Sequence, residues 1–207
     1  APNLVAMKSL LTLFMMLAAT SCSTPAKEDA PNNVIDLWTG EDSQLANWQM
    51  AGPGEFVHDG NTVYAQGGMG LYWYNAQAFK DFELELEWQV TDVSNNSGVF
   101  VRFPNPGDDP WVAVKEGYEI QICDTPAPKH DTGSVYSFQA ATHLPTKPQG
   151  EWNTYLIRVV GQQYTISING ELVNSYTGDR SEHGHIGLQN HDDDSPVRYR
   201  NIRVTEI

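Results

Sequence analysis

The sequence predicts an all-β fold, an antiparallel sandwich or barrel, and three observations carry that expectation. Apolar and polar residues alternate with a period of two in one segment after another from Val34 on. Gly, Asn and Pro separate the alternating runs. No segment sustains the 3.6-residue apolar period that a helical crossover would need. The 207 residues fit one domain, large enough to bury roughly 70% of its unfolded surface and so to build a core without staples.

The chain opens on an address. Lys8 precedes an apolar run from Leu10 to Ala19, too short to span a bilayer as a mature helix. A basic residue, a short apolar core and small residues beyond it form a secretory signal, with Met7 as its start. The segment Ala19-Thr20-Ser21-Cys22 resembles a bacterial lipobox, whose cysteine is lipidated. The expected organisation is a signal over residues 1–21, a polar Pro-containing tether over 22–33 and a β-sandwich over 34–207. The expected place is the bacterial cell envelope, with the protein lipid-anchored to the outer membrane through Cys22.

The strands follow in order. In Phe82 to Val90, Phe82, Leu84, Leu86, Trp88 and Val90 share one face, while Glu83, Glu85, Glu87 and Gln89 share the other. Such a strand packs one face and wets the other. Ser97 to Phe103, Tyr118 to Ile122 and Thr154 to Val160 continue the series. Tyr164 to Ile168 and Glu171 to Tyr176 flank Asn169-Gly170, a pair that accepts positive φ at both positions of a type I′ hairpin turn. His185 to His191 and Val197 to Val204 complete the set. Two stretches, Pro104 to Lys115 and Asp124 to Gln149, are too long for hairpin turns, and long loops in compact domains tend to be functional.

Composition narrows the partners. A net charge of −14 at pH 7 argues against DNA or RNA, which need a basic footprint. With Cys22 assigned to lipidation, Cys123 remains as a lone thiol, expected to act as a small buried hydrophobe.

Several pieces in a fixed order resemble the 3-keto-disaccharide hydrolase family. They include Leu37-Trp-Thr-Gly40, Gly70-Leu-Tyr-Trp73, Asp81 to Trp88, Asn96-Ser-Gly-Val-Phe-Val-Arg102, Gly117 to Ile122 and Thr132-Gly-Ser-Val-Tyr136. Gly150 to Tyr155, Asn169-Gly170, Ile186 to His191 and Arg198 to Arg203 complete the match. The resemblance implies a jelly-roll sandwich of the concanavalin-like lectin/glucanase type, with ligands on the concave face. It further implies that the partner is a carbohydrate, a glycoside oxidised at carbon 3.

The candidate site comes from residue parity together with that resemblance. Glu119 and Gln121 project to one side of their strand, and Gln189 and His191 to one side of another, with His185 on that side too. Their strands' other faces are apolar, so these polar groups are expected to meet on the outer surface of one sheet. Glu119, His191 and Arg102 are the catalytic candidates. Gln121, Gln189, Asn96, Trp73, Asp124 and His143 are the substrate-binding candidates. Asp124 depends on whether Cys123 bulges its strand. Asp192-Asp-Asp194 is either a solvated turn or a calcium site.

For such substrates the ketone acidifies the carbon-2 proton. A base removes it, the aglycone leaves carbon 1, and water adds. His191 or Glu119 is the expected base. Arg102, or a divalent metal held by Glu119 and His191, is the expected stabiliser of the enolate oxygen. Two rival readings stand beside this one. A noncatalytic carbohydrate-binding module would bind through aromatics such as Trp73. A conventional glycosidase would need two carboxylates flanking the bond.

Overall fold

The computed structural model describes residues 33–125 and 127–207. The signal, Cys22 and the tether through residue 32 lie outside the described residues. Asn33, assigned to the tether by sequence, opens the first strand.

Thirteen strands form two antiparallel sheets among the described residues. The larger sheet runs in the order β11 (Glu171–Thr177), β10 (Gln163–Ile168), β9 (Asn153–Val160), β6 (Phe82–Gln89), β13 (Arg198–Glu206), β4 (Thr62–Gln66) and β3 (Glu55–Asp59). Its eighth strand, β1 (Asn33–Trp38), pairs with β13. The smaller sheet is β2 (Trp48–Ala51), β5 (Gly70–Tyr74), β12 (His185–Asn190), β7 (Ser97–Phe103) and β8 (Tyr118–Ile122). Asn169 and Gly170 have φ of 52° and 84°, as the I′ hairpin between β10 and β11 demands.

The core lies between the sheets. Phe82, Leu84, Leu86 and Trp88 of β6 face Val99, Val101, Ile120, Ile122, Ile186 and Leu188, all fully buried. The outward glutamates of β6 do not repel one another unopposed. Glu83 meets Arg158 at 2.8 Å, Glu87 meets Arg200 at 2.6 Å, and Glu85 stands opposite Arg203 in register. Cross-strand pairs of opposite charge thus replace three like charges in a row.

The smaller sheet carries a second apolar patch on its outer face, made of Ala51, Leu71, Trp73, Phe100, Phe103 and Ala113. Ala113 belongs to α1 (Trp111–Glu116), a six-residue helix inside the stretch from Pro104 to Lys115. With α1 covering one part of that face, the rest is left open as a hollow.

Candidate functional site

The floor of the hollow is β8. Tyr118, Ile120 and Ile122 enter the core, so Glu119 and Gln121 emerge together on the outer side. In register, Phe100 faces Glu119 and Gly98 faces Gln121. The Glu119 carboxyl lies across Gly98: a methyl there would overlap Glu119 Oε1 and sit 2.7 Å from Cγ. Gly98→Ala is therefore expected to displace the carboxyl and lower kcat/KM by about 100-fold, the scale of an ångström-sized misplacement. Steady-state kinetics beside an unchanged circular-dichroism spectrum would check this; near-wild-type activity would show that the carboxyl's position is irrelevant.

The hollow holds about 190 Å³ and is lined on its polar side by Asn96, Glu119, Gln121, Gln189, Asn190 and His191. These groups form a chain. The Gln121 amide has two acceptors beside one end, Glu119 Oε1 at 3.0 Å and the Ser97 carbonyl at 3.1 Å. Its nitrogen belongs there, donating to both. The other end of the amide lies 3.1 Å from the Asn96 amide, which in turn lies 3.1 Å from His191 Nε2. His191 Nδ1 is 2.6 Å from Asp192 Oδ2.

Glu119 is 6% exposed, and that burial pushes its pKa up to about 8, because an ionised carboxylate loses its hydration there. Asp192 behaves oppositely. Burial pushes its carboxyl up, but hydrogen bonds from His191, Ser195 and the Asp194 amide outweigh burial and hold it below the usual range. An ionised Asp192 can fix the imidazole ring of His191 while Glu119 stays poised near neutrality.

One wall comes from the long stretch after β8. Gly133 N–H donates to the Gln121 carbonyl, Gln121 N–H to the Ser134 carbonyl, and Tyr136 N–H to the Glu119 carbonyl, at 2.9–3.0 Å. This stretch is bonded to the edge of β8 and brings Tyr136 to the hollow. Another wall is Pro110, Trp111 and Val114, at the start of α1 and along it. Sequence parity missed Trp111 and Tyr136. The signals available were the length of their two loops and, for Tyr136, its place in the Thr132-Gly-Ser-Val-Tyr136 piece.

A model of the 3-keto-alpha-glucoside-1,2-lyase-like domain matches residues 33–205. The chain belongs to this family. A 3-keto-disaccharide hydrolase of Bacteroides thetaiotaomicron is 30% identical over 220 aligned positions, covering 84% of this chain and 71% of that protein. A crystal structure of a candidate glycosyl hydrolase from Parabacteroides distasonis matches with a TM-score of 0.69 at 23% identity, over 85% of this chain and 100% of that one. The carbohydrate-binding module CBM66 of Bacillus subtilis matches with a TM-score of 0.56 at 14% identity, over 76% and 94%. The two structures show a shared fold, the lectin-like jelly-roll sandwich.

Within this 3-keto-glucoside lyase-like domain, the other expected site residues lie elsewhere, each for a local reason. Arg102 does not reach the hollow. Its φ is 58°, and it is the extra residue between Val101 and Phe103, which pair with Ile186 and His185. This bulge takes Arg102 off the face that Gly98 and Phe100 share. Its guanidinium is fully buried and bonded to the Lys80 and Gly161 carbonyls and, at 3.0 Å, to Asp81. Trp73 is on the hollow's side of the sheet but only 3% exposed, packed in the patch that α1 covers. His185 is beside it, ring to ring at 4.8 Å. Asp124 does not follow a bulge at Cys123. The strand ends at Ile122, and Asp124 accepts hydrogen bonds from Thr132 and Thr146, which fasten the base of the loop. His143 stands on the surface, 3.2 Å from Glu171.

A divalent metal finds no adequate ligand set. No group of three or more His, Cys, Asp or Glu side chains is clustered for one among the described residues. Asp192 is engaged with His191, and amide side chains separate His191 from Glu119. The chemistry below is accordingly derived from the chain's own residues.

Proposed function

We propose that this domain cleaves glycosides oxidised at carbon 3 by elimination followed by hydration. The observation that carries this reading is Glu119, a buried carboxyl on the floor of the hollow whose pKa burial raises to about 8. A general base is most effective when its pKa lies near the working pH. The name of the Bacteroides relative points to the same substrate class.

Glu119 takes the carbon-2 proton, and the C–H electron pair passes to the carbon-3 carbonyl oxygen as an enolate. The side-chain amides of Asn96 and Gln189, which line the hollow beside a His191 ring that Asp192 fixes through Nδ1–H, offer N–H donors to that oxygen. Collapse of the enolate restores the ketone, forms the C1=C2 double bond and breaks the bond from carbon 1 to the leaving oxygen. That oxygen departs with the pair and takes up a proton. Water then adds its hydroxyl to carbon 1 and a proton to carbon 2, so the net change is hydrolysis. Gln121 and Asn96 hold the acid and imidazole ends in register.

A conventional glycosidase mechanism has less support. Among the described residues lining the hollow, Glu119 alone carries a carboxyl, whereas that chemistry needs two flanking the bond.

The test is to incubate the purified protein with a 3-keto-disaccharide and with its unoxidised parent, in deuterated water, with and without a chelator. The expected result is cleavage of the keto form alone, with deuterium at carbon 2 of the product and no effect of the chelator. Equal cleavage of the parent, or product without deuterium, would reject the elimination route. Loss of activity on chelation would require a metal that the residues of the hollow do not account for.

A further inference from the structure

The geometry points to Trp111 as the platform that receives the leaving group, so that the natural substrate carries a ring, sugar or aryl, on carbon 1. This inference rests on the proposed reaction and adds a specificity determinant to it.

The hollow is graded from floor to mouth. Glu119 is 6% exposed and marks the reacting centre, while Trp111 is 49% exposed and lines the same space. A keto-sugar ring whose carbon 2 reaches Glu119 must project its carbon-1 substituent away from the floor, toward the mouth where the indole stands.

The local sequence explains why the indole is there. Asp109 fixes the start of α1, accepting the Trp111 N–H at its carboxyl at 2.9 Å and the Val112 N–H at its carbonyl at 3.2 Å. Ala113 is the helix residue that enters the apolar patch, with Val114 packed against it. Trp111 takes no part in that patch. What marks Trp111 is its position, half in water at the rim of the hollow that also holds the reacting carboxyl. That position suits a partner with an apolar face and polar edges, since such a ring stacks on an aromatic plane while its hydroxyls stay solvated. Tyr136 faces the same space and is held by stacking on His130 at 4.6 Å, which gives the mouth a second aromatic surface.

Trp111→Ala, Trp111→Phe and the wild type should be compared on a 3-keto-disaccharide and on methyl 3-keto-glucoside. Circular dichroism would establish that each variant is folded. Trp111→Ala is expected to lower kcat/KM for the disaccharide about tenfold or more, chiefly through KM. The methyl glycoside should change by less than about twofold, and Trp111→Phe should recover most of the loss. Equal losses on both substrates, or no loss on either, would overturn the assignment. Should the wild type turn over neither compound, the proposed reaction fails by itself. The platform is then judged by calorimetric titration with the same two ligands: a preference for the disaccharide that survives Trp111→Ala overturns it, and one abolished by that change supports it.

Discussion

Glu119→Gln is expected to lose activity by roughly 10²–10⁴-fold, the usual contribution of a positioned general base, while making the protein more stable at pH 8. The two effects share one cause. Burial disfavours the ionised carboxylate, raising its pKa to about 8 from its ordinary 4.5. Below about pH 4.5 both the folded and unfolded states carry the proton, and the group contributes nothing to the pH dependence of stability. Between about 4.5 and 8 the unfolded chain releases the proton and the folded chain keeps it, so stability falls as pH rises. The cost at pH 8 is of order 3–5 kcal/mol for a shift of this size. Glutamine has nearly the same shape without the charge and escapes that cost. Activity runs the other way, since only the ionised form accepts a proton. At pH 7 most molecules hold the carboxyl protonated, so kcat/KM should climb through pH 7 and level off beyond about 8. Urea denaturation and kinetics across pH 5–9 test both arms. A variant that keeps its activity removes Glu119 from the chemistry; a wild type whose activity falls through pH 8 makes Glu119 an acid instead.

Arg102→Ala is expected to do the reverse, costing about 3–5 kcal/mol of stability, the scale for breaking a buried ion pair, with kcat per folded molecule unchanged within about twofold. The guanidinium is fully buried, while its partner Asp81 keeps a quarter of its side chain exposed. The larger part of the loss therefore comes from the Lys80 and Gly161 carbonyls left without donors and from the emptied space above the Tyr164 ring. These groups belong to turns beside strands β6 and β9 of the larger sheet, whereas Arg102 is on β7 of the smaller one. The residue clamps the two sheets together at the ends of these strands. Denaturant titration together with kinetics at low temperature measures both quantities. A large drop in kcat with full folding would return Arg102 to the reaction.

Arg102 also shows where sequence parity stops working. Counting by twos from Gly98 through Phe100 places Arg102 with the catalytic face, and one extra residue in the strand reverses that placement. No composition cue marks a bulge made by an arginine with positive φ. The same counting succeeds for Glu119 and Gln121 because β8 is regular and its alternate residues are plainly apolar. Strand β6 is legible for the same reason. Strands β1 to β5 are short and broken by turns, and α1 is too short to show a helical period. Trp73 has the right side of the right strand, but whether it is open or covered depends on α1, which comes from a distant stretch of chain. Trp111 and Tyr136 reach the hollow only through tertiary placement of loops; loop length was the one visible sign of Trp111, while Tyr136 also closes the Thr132-Gly-Ser-Val-Tyr136 piece.

The bonding of residues 133–136 along β8 has a consequence for how the pocket can behave. The Tyr136 backbone cannot swing outward without unzipping amide pairs that also hold Glu119 and Gln121 in place. The backbone of the wall and the strand that carries the reacting carboxyl are thus joined by one hydrogen-bonded ladder. Discrimination between ligands must come from a contour that exists before binding, because a flap hinged at that wall would disassemble the very acid it was meant to enclose.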